Sequence, residues 1–176
     1  MNPESDLIAM LQQGNRQAFA ELYERNKMAI YRYCLRMLND PAAAEDATQE
    51  TFIKLFSRIA TLQKTESFLS WLFRIARNEV MMHLRQNHRN GVPHEEYLWE
   101  EETPFDVTVA AETTEIVQRL LQNLKCEYRE VMVLREYDQL SYAQIADITS
   151  TTESAVKSRL FKARKALTKK LKKYYS

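Results

Sequence analysis

The strongest chemical signal in this sequence is a cluster of cationic side chains near its carboxyl end. Residues 153–176 contain nine Lys/Arg and one Asp/Glu, although the whole chain carries a formal net charge of only +1. Guanidinium and ammonium groups bind phosphate, and neighbouring hydroxyl groups can hydrogen-bond base edges. This local excess of positive charge favours binding to a polyanion, and nucleic acid is the preferred candidate. The alternative is a solvated lysine tail that has no partner.

Two closely spaced helix starts position these side chains. The patterns S-x-x-Q at 141–144 and S-x-x-E at 150–153 each predict a capping box, so a short helix over 142–148 should be followed almost at once by a longer one. The longer helix has an apolar stripe at helical spacing, formed by Val156, Leu160, Ala163 and Leu167. Two helices joined by such a short turn are typical of a helix-turn-helix.

A recognition helix places its first residues in the major groove and its flanking basic side chains on phosphates. The candidates for base edges or the groove are Thr151, Thr152, Glu153, Ser154, Lys157, Ser158 and Phe161. The candidates for phosphate are Arg159, Lys162, Arg164 and Lys165. The alternative is that this lysine-coated helix packs on a protein partner.

The first half of the chain also predicts helices. Apolar residues recur at helical spacing over 18–38, and Asp40-Pro41 supplies an N-cap residue followed by proline at the first helical position. Ser67 is expected to start a further helix over 68–85. In the second half, helices are expected over 114–124 and 127–137. The fold class is therefore all-α, with two small helical domains.

Two polar helix faces remain after the apolar stripes are assigned. Opposite the apolar face of the helix after Pro41, the sequence places Asp46, Gln49, Glu50 and Ile53. The helix over 68–85 carries Arg74, Asn78, Met81 and Arg85 along one stripe, with Arg77 beside them, and this stripe should face DNA. The carboxylates near the start of the first of these helices could instead simply complement its dipole.

An acidic segment separates the two halves. Residues 89–112 contain one Lys/Arg and seven Asp/Glu, together with Gly91, Pro93 and Pro104, and keep no helical period. The expected division is an N-terminal domain over 1–88, an acidic flexible linker over 89–112 and a C-terminal helix-turn-helix domain over 113–176.

Composition excludes several classes of protein. Two glycines cannot supply a phosphate-binding glycine-rich loop, and two distant cysteines make no disulfide scaffold. The three histidines keep no metal-ligand spacing, so we expect no metal, no cofactor and no catalytic residues. No export signal or stretch of 18 apolar residues is present, which predicts a cytoplasmic protein without membrane insertion.

Four segments together resemble a known family. They read AEDATQETFIKL at 44–55, FLSWLFRIARN at 68–78, LSYAQIA at 140–146 and SAVKSRLFKARK at 154–165. Their order and spacing are similar to those of extracytoplasmic-function sigma factors, the smallest members of the sigma-70 family of bacterial transcription initiation factors. The usual Gly-Thr of the recognition helix is Ser154-Ala155 here, which indicates an unusual promoter sequence.

This resemblance implies a detachable specificity subunit of core RNA polymerase with two DNA-binding domains. It implies that Asp46, Gln49, Glu50 and Ile53 dock on the clamp coiled coil of the largest polymerase subunit. The C-terminal helix would read the minus-thirty-five element of promoter DNA. An anti-sigma factor is expected as a further partner, and the acidic linker is expected to thread near basic channels of the polymerase.

The resemblance also implies that the N-terminal domain reads the minus-ten element. The loop over 61–67 would receive a flipped base, and the following helix would hold the strand; Trp71 and Phe68 could instead be core residues. The residues assigned to this element are Leu62, Lys64, Thr65, Phe68, Trp71, Arg74, Arg77, Asn78 and Arg85. Two rival functions stay open, a self-sufficient helix-turn-helix regulator and a helical metal-dependent hydrolase.

Overall fold

The computed structural model describes residues 3–90 and 113–174, and all regular secondary structure within these ranges is helical. The all-α prediction is confirmed. The first range, here called the N-terminal unit, contains α1 (Pro3–Gln12), α2 (Arg16–Leu38), α3 (Pro41–Arg58) and α4 (Phe68–Arg89). The second, the C-terminal unit, contains α5 (Thr113–Gln122), α6 (Cys126–Met132), α7 (Tyr142–Thr149) and α8 (Glu153–Tyr174).

Helix starts in the N-terminal unit follow local capping chemistry. The Asp40 carboxylate accepts hydrogen bonds from the backbone N–H groups of Ala42 and Ala43, at 2.9 and 3.2 Å, as predicted. Asn39, at φ 52°, ends α2 in the left-handed region. Ser67 precedes α4 as predicted but makes no capping hydrogen bond, because a 3-10 turn over Thr65–Ser67 leads into the helix instead.

The bounds of two elements differ from those expected. Helix α4 ends at Arg89 rather than at residue 85, so the beginning of the expected linker is still helical. The expected helix over 127–137 is an α-helix only to Met132 and continues as a π-helix over Val133–Tyr137. The rest of the expected linker, residues 91–112, lies outside the described residues.

The predicted second capping box, over residues 150–153, is wrong, because the turn between α7 and α8 uses other residues. Ser150 has φ 53°, and its backbone N–H lies at the C-cap of α7, so it ends that helix and does not start the next. The Thr152 hydroxyl accepts from the Ala155 N–H at 3.1 Å and caps α8. The first box is confirmed, since Ser141 and Gln144 bond each other reciprocally. The helix-turn-helix stands, with its second helix starting at Glu153.

The two units share one continuous hydrophobic core. Helix α2 packs on α3, α3 on α4, and α4 on α7, while α6 and α7 pack on α8. Among the largest fully buried side chains, Tyr33, Met37 and Phe73 come from the N-terminal unit and Leu121 and Leu134 from the C-terminal unit. Each unit therefore covers apolar surface of the other.

A buried arginine joins the units at the end of α2. Arg129 is 4% exposed and donates to the Met37 carbonyl at 2.8 Å and to the Gln122 side-chain oxygen at 2.6 Å. Gln122 in turn donates to the Arg36 carbonyl at 2.7 Å. The last-turn carbonyls of a helix lack partners within that helix, so these donors from the C-terminal unit satisfy the end of α2.

One carboxylate at this junction is poorly solvated. An oxygen of Asp138 is buried without a hydrogen-bond partner. Burial raises the pKa of Asp138 from 3.8 to about 7, although Arg36 and Arg32 on α2 oppose the rise. Between these two pH values the folded chain binds more protons than the unfolded chain, so the free energy of unfolding falls as pH rises through this window.

Replacing Asp138 by asparagine should remove this pH dependence. We expect Asp138→Asn to be more stable than the wild type at pH 8 by about 2 kcal/mol, because one pKa unit corresponds to about 1.4 kcal/mol and part of the side chain is solvated. The difference should shrink towards pH 4. Urea denaturation at several pH values measures it, with the exposed Asp6→Asn as control. An unchanged pH profile in Asp138→Asn would contradict this account.

Candidate nucleic-acid and protein-docking surfaces

Helix α8 presents the surface expected to contact DNA. Its apolar side holds Val156, Leu160 and Ala163, which are buried against the rest of the C-terminal unit. This anchoring turns the opposite side outward. The predicted DNA-binding residues that are exposed on or just before α8 are Thr152, Glu153, Ser154, Lys157, Ser158, Phe161, Lys162, Arg164 and Lys165. Thr151 and Arg159 are half-buried.

Some of these side chains are held in place by neighbours. Arg159 lies 3.3 Å from the Glu127 carboxylate, and Arg164 donates to Glu136. This hydrogen bond raises the pKa of Arg164. Lys157 lies 5.6 Å from the centre of the Tyr142 ring. Phe161 is 68% exposed and is the most exposed large apolar side chain on the described surface, which suits contact with a thymine methyl group.

Helix α4 carries the second expected DNA surface, and part of it is covered. Asn78 and Arg85 are exposed. Arg77 donates from Nε to Glu130 of α6 at 2.7 Å, and Arg74 pairs with Asp147 of α7. Two of the predicted minus-ten contacts are therefore engaged by the C-terminal unit. Sequence reasoning identified the arginines but missed both carboxylate partners.

The Glu130 carboxylate is almost fully buried. It is 2% exposed and also accepts a hydrogen bond from the Tyr33 hydroxyl at 3.2 Å. Burial raises the pKa of Glu130 above its ordinary value of 4.5, and the charge and hydrogen bond of Arg77 partly offset this. A buried carboxylate of this kind is stable only because its oxygens are paired.

The loop between α3 and α4 has an exposed rim and a buried base. Lys64 is exposed and Thr65 is half-buried. Leu62 and Phe68 are 7% and 1% exposed, and Trp71 is half-buried with its ring 6.5 Å from that of Phe68. The side chain of Gln12 on α1 donates to the Leu62 carbonyl at 2.9 Å. Helix α1, which the sequence analysis did not predict, thus holds the loop in place.

The third surface lies on α3. Asp46, Gln49 and Ile53 are exposed, Ile53 to 59%, and Glu50 is half-buried. The Asp46 carboxylate lies 3.1 Å from Nε2 of His83 on α4. The structure thus brings the four residues predicted to bind polymerase to one outward face of a single helix.

An apolar groove adjoins this face and was not predicted. It has a volume of about 550 Å³. The aromatic rings pack edge to face in two pairs across α2 and α3, Phe19 on Phe56 and Tyr23 on Phe52. The groove is lined by Phe19, Ala20, Tyr23, Glu24, Gln49, Phe52, Ile53 and Phe56. The groove is therefore an exposed apolar surface directly beside the polar face of α3.

Within the described residues no cluster of three or more His, Cys, Asp or Glu side chains could hold a metal ion. Cys34 and Cys126 are both free thiols, and burial raises the pKa of Cys34 to about 12. No helix over 3–90 or 113–174 is long and apolar enough to cross a membrane.

Comparison with protein families matches both units. Residues 22–90 match the family model "Sigma-70 region 2", and residues 114–167 match "Sigma-70, region 4". The chain is 30% identical to the ECF RNA polymerase sigma factor SigW of Bacillus subtilis, over 94% of this chain and 95% of that protein. It is 32% identical to the ECF RNA polymerase sigma-E factor of Haemophilus influenzae, over 94% and 93%.

Solved structures share the fold. CnrH, solved in complex with the cytosolic domain of CnrY, superimposes with a TM-score of 0.75 over 97% of this chain and 98% of its own, at 22% identity. The sigma factor RpoE of Bartonella quintana, solved with the anti-sigma factor NepR, gives 0.71 over 88% and 96%, at 23% identity.

Proposed function

This chain belongs to the extracytoplasmic-function sigma factors of the sigma-70 family, and we propose which of its surfaces direct core RNA polymerase to promoters. It is a transcription initiation factor. The residue assignments rest mainly on the outward face of α8. This helix is anchored by its apolar residues and presents cationic and hydroxyl side chains to solvent. We assign this face to the minus-thirty-five element in the major groove.

The minus-ten element is assigned to the N-terminal unit. Lys64 and Thr65 on the exposed rim of the loop, with Asn78 and Arg85 on α4, are available to a separated DNA strand. Arg74 and Arg77 would join them once their carboxylate partners are displaced. Leu62 and Phe68 are buried, so we assign them to the support of the loop that receives a flipped base.

We assign the binding site for core polymerase to the exposed face of α3 and the aromatic groove beside it. The exposed face with Asp46, Gln49, Glu50 and Ile53 borders the aromatic groove, so one partner helix could contact both. A helix bound in a groove is held mainly by its apolar side chains, while charged residues at the rim set its orientation. This chemistry fits the clamp coiled coil of the largest polymerase subunit.

An anti-sigma factor is proposed as an alternative partner, because CnrH and RpoE were both solved in complexes with protein partners and the latter partner is an anti-sigma factor. We propose that this chain is a binding subunit that has no catalytic residues of its own and works in the cytoplasm, where transcription takes place. Recognition of the minus-ten and minus-thirty-five elements requires contacts to DNA and no catalytic residue.

Transcription in a purified system tests the function. Core polymerase with this chain should start transcripts at one position on a template that carries the region upstream of the protein's own gene. Core alone, or a template with that region scrambled, should give no such start. Absence of a specific start, together with tight DNA binding by the chain without polymerase, would favour a self-sufficient helix-turn-helix regulator.

A further inference from the structure

The side chain of Gln12 joins the end of α1 to the loop between α3 and α4. Its Nε2 donates to the Leu62 carbonyl at 2.9 Å and to the Ile59 carbonyl at 3.1 Å. A side-chain amide nitrogen carries two hydrogens, and here there are two acceptors for them on one loop. The amide of Gln12 therefore bonds this loop with its full donor capacity.

The position of Gln12 is fixed by the way in which α1 ends. Gly14 has φ 87° and its N–H donates to the Leu11 carbonyl at 2.8 Å, while the Asn15 N–H donates to the Met10 carbonyl at 3.0 Å. This pair of hydrogen bonds is a Schellman motif, which closes a helix with a glycine in the left-handed region. Leu11 is also 2% exposed, so the last turn of α1 is anchored in the core. The Gln12 side chain therefore extends from a well-held backbone.

The two carbonyls that Gln12 bonds belong to the turn by which the chain leaves α3. The Leu62 N–H donates to the Ile59 carbonyl at 3.1 Å and closes a 3-10 turn over Ile59–Thr61. Leu62 itself has an extended backbone, at φ −72° and ψ 111°, and leads to Lys64 and Thr65 on the rim. By bonding both ends of this turn, Gln12 sets the orientation of the peptide groups from which the rim continues.

The orientation of the rim matters for a base that has left its stack. Extrusion of a base costs free energy, which the contacts in the receiving pocket have to offset. A loop that is already ordered offers these contacts without a further loss of conformational entropy. Phosphate binding by an exposed side chain such as Lys64 depends much less on this order, because an ammonium group is a flexible point charge.

We propose that Gln12 is a positioning residue of the minus-ten site, which orders the loop for the flipped base by bonding the Ile59 and Leu62 carbonyls. This proposal rests on the proposed minus-ten role of the loop. Gln12 acts through the loop backbone and not by touching DNA. The part of minus-ten binding that depends on the base therefore depends on Gln12, whereas the part that depends on phosphates does not.

The test separates base recognition from phosphate binding in the assembled holoenzyme. A fluorescent nontemplate single strand carries the minus-ten segment from upstream of the protein's own gene, and versions of it have an abasic site at each position in turn. Anisotropy titration gives Kd for each strand. The position at which base removal weakens wild-type binding most identifies the flipped base. The ratio of Kd for that abasic strand to Kd for the intact strand measures recognition of the base.

Two substitutions of Gln12 change its ability to donate. Gln12→Glu keeps the shape of the side chain but places an acceptor oxygen against two carbonyls, and its Kd ratio should fall about tenfold because two hydrogen bonds are lost. Gln12→Lys restores a donor group and should keep the wild-type ratio. Each ratio compares two strands on the same protein, so differences in charge between the variants cancel.

The matched control is Gln13→Glu. Gln13 is the exposed neighbour of Gln12, and its replacement makes the same change in charge. This variant should give the wild-type ratio. If Gln12 had only a structural role, Gln12→Glu would weaken the binding of intact and abasic strands alike and leave their ratio unchanged.

A wild-type ratio in Gln12→Glu overturns the proposal, and so does an equal fall in Gln13→Glu. A low ratio in Gln12→Lys would show that hydrogen-bond donation is not the cause and would also overturn it. If no abasic site weakens the binding of wild-type holoenzyme, the proposed minus-ten role of the loop fails and the role of Gln12 fails with it. If the wild type recognises a base and Gln12→Glu recognises it equally well, the proposed function stands and only the role of Gln12 fails.

Discussion

Replacement of Ile53 by aspartate should abolish stable association with core RNA polymerase while leaving the fold intact. Ile53 is 59% exposed, lies between the acidic face of α3 and the aromatic groove, and lines that groove. A charge at this position would be buried against an apolar partner without a counter-ion. A hot-spot residue at the centre of an interface typically contributes about 2 kcal/mol or more, so we expect Kd to rise by about 30-fold or more.

Co-purification with core polymerase, followed by a competition titration, measures this effect. Met28→Asp is the matched control, because Met28 is an apolar residue that is 51% exposed on α2 and does not line the groove. It should associate normally. Thermal unfolding should give the same midpoint for Ile53→Asp and wild type. Normal polymerase binding by Ile53→Asp would remove the docking assignment for this surface.

The docking surface shows what the sequence could and could not reveal. Periodicity placed Asp46 and Ile53 on the outward face of α3, because a single helix relates these residues by its own geometry. The groove needs the packing of α2 on α3, which leaves the ring of Phe56 47% exposed beside Phe19. A stripe of aromatic residues in sequence does not indicate which rings stay uncovered.

The turn before α8 shows the limit of local signals. Ser150, Thr151 and Thr152 are three consecutive hydroxyl residues, each able to cap a helix. The Thr151 N–H donates to the Ala146 carbonyl at 2.9 Å. This hydrogen bond closes the last turn of α7, and Ser150 within that turn has a left-handed backbone conformation. The cap therefore falls on Thr152. Asp40 was predicted correctly because Pro41 left no competing position.

Contacts between the units were beyond prediction for a different reason. Arg77 and Glu130 are 53 residues apart, and Tyr33 and Glu130 are 97 apart. Nothing in local spacing relates them, and Arg77 and Glu130, each taken alone, are typical of a solvated helix surface. The division into two helical domains was predictable from composition, but the continuous core that joins them depends on tertiary packing alone.

Replacement of two lysines of α8 by alanine should weaken promoter binding and make the binding constant less dependent on salt concentration. Lys162 and Lys165 are exposed on the outward face of α8, whereas Arg159 and Arg164 lie against Glu127 and Glu136. Each phosphate contact that is lost reduces the number of released counter-ions by about one. In holoenzyme assembled with Lys162→Ala/Lys165→Ala, the slope of log K against log salt should fall by about two.

Affinity for promoter duplex at about 0.15 M salt should drop by tenfold or more, since each such contact contributes on the order of 1 kcal/mol. Filter binding over a series of salt concentrations measures both quantities. Lys27→Ala is the control, because Lys27 pairs with Glu24 on α2 and belongs to no proposed DNA surface. An unaltered slope in the double variant would show that these lysines do not touch phosphate. The phosphate contacts of the α8 face would then have to come from its other cationic side chains, Lys157, Arg159 and Arg164.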